Sequence, residues 1–218
     1  MKIVKPYAEM IDVPDRDAGI TLLQKVEHCA RISHRSEEAQ STESWARFIP
    51  SVVLKHGDWS VTEHASVTVE AVVDRGIMAE WTRHRLGAYT VESTRFVRYG
   101  DKHSMGFIEP PCMHKSSAEW WEQAAREAEV AYYAMLDDGE SPQTARSALP
   151  MSLATLMAVT YNLRNWRHFF LMRTTREAHP QMREVAIPLL AEFQQRIPLL
   201  YDDILPNARQ VDNLGKAR

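Results

Sequence analysis

The chain has 218 residues, 44% hydrophobic and 25% charged, an ordinary globular balance that excludes a disordered or fibrous protein. A net charge of −3 argues against a nucleic-acid or membrane-surface binder. Only Cys29 and Cys112 are present, outside any CxxC pattern, which excludes a thiolate zinc site and suits a reducing compartment. No apolar run reaches the ~20 residues of a membrane span, and no apolar signal region follows Met1. A soluble, cytoplasmic protein is expected. The 19 Arg against 7 Lys hint at anionic ligands, because the planar guanidinium suits phosphate and carboxylate; GC-rich codon usage produces the same bias.

In chain order, apolar residues at helical spacing predict a helix over 18–33 and a second over 42–54. Residues 65–73 alternate apolar and polar, the pattern of a half-buried strand. Asp74-Arg75-Gly76 reads as a turn into a helix from Ile77 to about Arg85. A loop at Gly87 leads to an expected strand over 95–99, and a brief strand is expected near Phe107. Residues 117–136 form a long amphipathic helix with Trp120, Ala124 and Ala128 on one stripe. Ser141-Pro142 restarts a short helix through Arg146, with proline at the first helical position. Residues 153–160 read as a strand or a buried helix, their Thr and Val content favouring the strand, and 162–173 and 180–201 read as helices. No repeat or Gly/Ser linker interrupts the chain, so one domain over 1–218 is expected. Helices and strands mix without βαβ alternation, which predicts an α+β fold. There is no GxGxxG and no Walker loop, so phosphates must be held by side chains.

Four segments concentrate polar chemistry. Arg83-His84-Arg85, followed by a loop with Glu92, Ser93, Thr94 and Arg95, is either an anion-binding assembly or a solvated basic helix end. On a helix, Arg83 and Arg85 would project roughly 160° apart, at about 100° per residue, and could not grip one phosphate together. On a helical wheel Asn162, Trp166, Phe169, Phe170 and Arg173 share one face, with Arg164, Arg167 and His168 opposite. Arg173 then either snorkels to water or sits in a partly dry pocket where its charge acts strongly. Arg146 precedes a helix stop at Leu149-Pro150. Glu63-His64 precedes the first long strand; without HExxH spacing it is not read as a metal site.

Together these segments resemble the flavin-dependent thymidylate synthases. That family's signature is Arg-His-Arg, seven residues, then Ser, and here Arg83-His84-Arg85 is followed after seven residues by Ser93. Residues 92–99 look like the family's Glu-Ser-Thr-Arg-Tyr segment, and Ser60 to His64 resembles its Ser-Pro-x-Glu-His segment. Ala145 to Pro150, Asn162 to Arg173 and Ala178-His-Pro-Gln181 follow in the family's order. The resemblance covers about 30–190. It implies an α+β thymidylate synthase-complementing fold, a mixed or antiparallel sheet flanked by long helices. It also implies reductive methylation of dUMP to dTMP with methylenetetrahydrofolate as carbon donor, NADPH as reductant and FAD as hydride carrier. Glu80, Trp81, Thr82, Arg83, Glu92, Ser93, Thr94, Arg95, Arg146 and Arg173 would bind dUMP. Ser33, Ser60, Glu63, Arg83, His84, Arg85, Asn162, Arg164 and His168 would bind FAD. Arg173 would be catalytic, stabilising uracil with N3 ionised, with no cysteine nucleophile; Cys112 is read as structural or incidental. A homotetramer with sites shared between subunits is implied, with no metal and no nucleic-acid or membrane partner.

Several positions depart from the family's common pattern: Val91 where Glu or Gln is usual, Phe96 for Tyr, Arg98 for a small polar residue, Asp58 near a usual His, and His168 for Asn. They leave open a relative that acts on another pyrimidine nucleotide such as dCMP, or one that yields a hydroxymethyl product. A non-catalytic nucleotide- or flavin-binding homologue is a further alternative, which the retained Arg173 and Arg-His-Arg argue against.

Overall fold

The computed structural model describes residues 1–100 and 102–207. The first elements are β1 (Lys2–Ile3), β2 (Tyr7–Met10), α1 (Arg16–Ile32) and α2 (Trp45–Phe48). After them come β3 (Ser66–Asp74), α3 (Arg75–Trp81), β4 (Ala88–Val91) and β5 (Gly106–Phe107). The last are α4 (Lys115–Asp137), α5 (Pro142–Ala145), β6 (Ala154–Asn162), α6 (Leu163–Arg173) and α7 (Pro180–Arg196). One sheet has the order β2-β3-β6-β4, and β1 pairs with β5 in parallel, Lys2 opposite Gly106 and Ile3 opposite Phe107. Strands and helices are interspersed without a regular βαβ alternation, so the α+β expectation holds. Among the described residues no helix is long and apolar enough to cross a membrane.

The chain divides into two compact units. Unit 1 comprises residues 1–7, 71–83 and 89–158, and unit 2 residues 8–70, 84–88 and 159 onward; β3 and β6 each have a part in both. In unit 1, Tyr99, Met105, Phe107, Ala125, Tyr132, Leu136, Ala145 and Leu153 form the core. Helix α4 turns Ala125, Tyr132 and Leu136 inward, while Trp120 is 72% exposed. The expected Trp120 stripe is therefore corrected: the buried face is the one that meets Tyr99 and Phe107.

Unit 2 is built on aromatic rings. Trp166, Phe169, Phe170, Phe193 and Tyr201 have no exposed surface and pack mostly edge to face, the arrangement their ring quadrupoles favour. Each polar tip finds a carbonyl: Trp166 Nε1 donates to Val67 at 2.9 Å, and Tyr201 Oη donates to Leu163 at 2.9 Å. Glu27, fully buried, accepts from Arg31 at 2.6 Å and from the Ser44 hydroxyl at 2.8 Å, so its charge is paired.

Four boundaries differ from expectation. The 42–54 helix is α2 followed by a π-helical stretch, Ile49–Lys55, in which His56 N–H reaches back five residues to Ser51. Pro50 lacks the N–H that would continue the α-helical ladder. Helix α3, capped by Asp74 Oδ1 on Ile77 N–H at 2.7 Å, ends at Trp81 rather than near Arg85. Further on, Gly87 lies against Tyr161, where an added Cβ would come within 2.1 Å of the ring. The strand expected at 95–99 lies instead at β4, rich in strand-forming Tyr89, Thr90 and Val91; Ser93 carbonyl accepts from Phe96 and Val97 N–H and turns the chain. Helix α7 stops at Arg196 because Pro198 cannot extend it.

Helices α1 and α7 touch at Gly19, where a Cβ would stand 1.8 Å from the Arg196 carbonyl oxygen. Gly19→Ala is expected to cost about 1–3 kcal/mol by overpacking, read as a melting temperature several degrees lower. An unchanged melting temperature would show that the helices can part without penalty.

Candidate functional site

In unit 1, α3 begins at Arg75, placed beside the β4 and β6 strands by its Asp74 cap. Its guanidinium donates to Thr155 Oγ1 at 3.0 Å, Glu92 carbonyl at 3.3 Å and Thr94 Oγ1 at 3.1 Å. From the end of α5, Arg146 donates to the same Thr94 hydroxyl at 3.3 Å. Thr94 is 4% exposed, whereas Arg146 is exposed. Among the described residues neither arginine has a carboxylate within ion-pair distance. Two guanidiniums converging on one hydroxyl without a counter-charge repel each other, and an anion relieves that repulsion. They line a cavity of about 390 Å³ together with Thr94, Gln143 and Ser147.

Glu92 is turned away from this cavity. Its carboxylate accepts from Tyr99 Oη at 2.7 Å and from Leu156 N–H at 3.2 Å, and it lines a different cavity of about 510 Å³. Glu92, just past β4, is thus apart from the Thr94 hydroxyl beside which it was expected to hold a phosphate or sugar. Burial and then the Glu92 bond push the Tyr99 phenol far up, so it remains a donor. Trp81 has no exposed surface and belongs to the core. Glu80 and Thr82 are half-buried at the end of α3, Thr82 donating to Ala79 carbonyl at 3.1 Å, and Arg83 is exposed. Ser93 opens the turn described above, and Arg95 donates to Gln143 at 2.8 Å, at the rim of the arginine cavity.

In unit 2, helix α6 is capped by Asn162, whose Oδ1 accepts Asn165 N–H at 2.9 Å. Its wheel is as expected: Trp166, Phe169 and Phe170 are buried, Arg173 half-buried, Arg164 and His168 exposed. Arg173 donates its Nε–H to His84 Nε2 at 2.8 Å. The His84 ring stands edge-on to Phe169 at 5.2 Å and to His168 at 5.7 Å between centroids. Burial first, then the Arg173 and His168 charges, lower the His84 pKa to about 4, so the imidazole is neutral at pH 7. The angle between Arg83 and Arg85 inferred for a helix does not apply, since α3 has ended before either.

Ser33 closes α1, its hydroxyl donating to Ala30 carbonyl at 2.8 Å. Ser60 and Glu63 lie on a 3₁₀ turn, Trp59–His64, that packs against both α1 and α6. Glu63 pairs with Arg164 at 2.6 Å, both half-exposed. Ser33, Ser60, Arg85, Arg164 and His168 are each exposed and carry groups able to donate to a phosphate, the chemistry a diphosphate-bearing cofactor such as FAD requires. Arg167 is structural: it holds Asp203 through two bonds of 2.7 and 2.6 Å and lies 4.4 Å over the Trp59 ring. Sequence reading missed Arg75, Tyr99 and Thr155. An arginine between an apolar strand and an apolar helix was the available signal for the first.

Inorganic phosphate is expected to raise the melting temperature of the protein, by the equivalent of about 2.7 kcal/mol at a hundredfold excess over Kd. Arg75→Met and Arg146→Met should each lose most of that effect. Equal stabilisation of all three proteins would contradict a shared anion site.

Residues 21–199 match the family model described as thymidylate synthase complementing protein. A flavin-dependent thymidylate synthase of Saccharolobus solfataricus is 34% identical over 166 residues, 76% of this chain; the match spans 62% of that protein. The Pyrococcus furiosus protein of the same description is 31% identical over 195 residues, 84% of this chain and 77% of its own length. Among solved structures, a UMP/dUMP methylase PolB from Streptomyces cacaoi bound with a brominated dUMP superposes with a TM-score of 0.75. At 21% identity, it covers 93% of this chain and 96% of that one. The strand and helix plan laid out above is thus shared with that structure, and the chain belongs to the thymidylate synthase complementing protein family, the flavin-dependent thymidylate synthases.

Proposed function

We propose that this protein converts dUMP to dTMP, taking a methylene carbon from methylenetetrahydrofolate and reducing equivalents from NADPH. The balance is one methylenetetrahydrofolate, one NADPH and one proton consumed, with tetrahydrofolate, NADP⁺ and dTMP released. The observation that carries the reading is the pair of arginines, Arg75 and Arg146, on the buried Thr94 hydroxyl, with no carboxylate within ion-pair distance among the described residues. They suit the phosphate of a nucleotide, with Ser93 and Arg95 nearby.

Arg173 acts on the base. A guanidinium held at the edge of an aromatic stripe, beside a neutral imidazole, stabilises negative charge developing on the uracil ring when N3 is ionised. That charge makes C5 nucleophilic enough to take the folate's one-carbon unit without a protein thiolate. FAD, when held here and reduced by NADPH, would supply the hydride that completes the methyl group. Ser33, Ser60, Glu63, Arg85, Asn162, Arg164 and His168 are the residues proposed to hold it, with Arg83. Release of Arg164 from Glu63 would free its fork for a phosphate.

We take residues 1–218 as one functional domain, since the family match takes in residues of both units, and the protein as a cytoplasmic homotetramer whose sites draw on several subunits. Exposed Trp120 and Val130 on α4 are apolar surface of the kind an interface covers. A second reading, a different pyrimidine nucleotide or a hydroxymethyl product, is favoured by the apolar Val91 and by the inward-turned Glu92, which leave the family's usual polar position without a carboxylate. Trials with dCMP and UMP in place of dUMP separate the two.

Arg173→Ala is expected to keep its flavin absorbance while losing about 100-fold or more in dTMP formation, the scale of removing one charge-stabilising donor. Arg83→Ala should weaken both nucleotide and flavin binding. Undiminished turnover in the Arg173 variant would sink the mechanism.

A further inference from the structure

The bond between Arg173 Nε–H and His84 Nε2, 2.8 Å long, joins a residue of the Arg-His-Arg segment to the end of α6. A ring nitrogen accepts only when it bears no proton, so this geometry assigns the His84 proton to Nδ1. The ring itself is held by its edge-on contacts with Phe169 and His168. We propose that His84 is the positioning residue of Arg173: its Nε2 lone pair takes the Nε–H and so fixes the plane in which the guanidinium presents its terminal nitrogens. This moves His84 from the flavin-contacting set to a role exerted through Arg173, and it rests on the reading that Arg173 acts on the base.

An arginine side chain has several rotatable bonds, and one capping bond at Nε removes most of the freedom of the guanidinium plane. A misplacement of about 1 Å at a reacting centre costs on the order of 100-fold in rate. The acceptor must also survive at working pH. His84 is kept neutral by burial and by the Arg173 and His168 charges that face it from α6, with a pKa of about 4. Protonation would break the bond and set two cations against each other.

Two substitutions separate this role from packing. His84→Phe keeps a flat ring against Phe169 without an acceptor, and His84→Gln returns a carbonyl oxygen near the Nε2 position. His84→Phe is expected to lower kcat about 10- to 100-fold, with flavin content and KM for dUMP changed less than about threefold. His84→Gln should recover at least half of that loss on a logarithmic scale. In an Arg173→Ala background His84→Phe should add nothing; an equal loss in both backgrounds would overturn the proposal. A readout independent of turnover is the Arg173 Nε–H resonance in ¹⁵N-edited NMR at pH 7, assigned by its disappearance in Arg173→Ala. It should be protected from solvent exchange in the unaltered protein and in His84→Gln, and lost to exchange in His84→Phe. Persistence in His84→Phe overturns the positioning role. Failure of the unaltered protein to make dTMP overturns the functional reading instead, and the NMR comparison then decides this proposal alone.

Discussion

Helix α6 is fixed in rotation by Trp166, Phe169 and Phe170, three large rings with no exposed surface, and the chemistry of unit 2 depends on that fixed phase. Arg173 follows Phe170 by three positions and Trp166 by seven, so a period of 3.6 residues sends it out on the same side, at the boundary between apolar packing and solvent. The Asn162 cap sets the phase from the first turn, and the Trp166 bond to Val67 locks it to β3. At that boundary a charge is less screened than in water and correspondingly more effective on a neighbour. His84, neutral and edge-on to Phe169, completes the surroundings of the guanidinium without adding a competing charge.

Unit 1 follows the opposite principle. Among the described residues its two arginines pair with no carboxylate, and Glu92, whose carbonyl accepts from Arg75, has its carboxylate committed to the Tyr99 hydroxyl and the Leu156 N–H. The Thr94 hydroxyl can accept from both guanidiniums but cannot offset their charge. Such an arrangement is costly by itself and would be relieved by an anion. Tyr99 remains protonated because burial and the carboxylate both disfavour the phenolate. The Glu92–Tyr99 pair therefore acts as a brace for the turn carrying Thr94.

The long elements were legible because they repeat one signal many times. The 2-residue alternation of β3 and the apolar spacing of α1 and α6 survived any local perturbation, and the aromatic face of α6 was read residue by residue. What was lost depended on single contacts between distant segments. Helix α3 ends at Trp81, which invalidates the angle inferred between Arg83 and Arg85, and Gly87 beyond it lies against the distant Tyr161. Trp120 looked like core on a wheel, but which face of α4 is covered is decided by Tyr99 and Phe107. Arg75 was read as part of a turn, because its bonds to Thr94 and Thr155 span 19 and 80 residues. Arg146, Thr94, His84 and Arg173 were singled out by resemblance, whereas the direction in which Glu92 points was not legible, since it is set by bonds to Tyr99 and to the distant Leu156.

The most direct test is the mass of the nucleotide formed when the purified protein, FAD, NADPH and methylenetetrahydrofolate are mixed anaerobically with dUMP. A product heavier than dUMP by one methylene unit, co-eluting with dTMP and absent when NADPH is omitted, is the predicted result. Recovery of unaltered dUMP from protein that holds flavin and binds the nucleotide would contradict the central claim, and a hydroxymethyl mass would assign the chain to the altered chemistry instead.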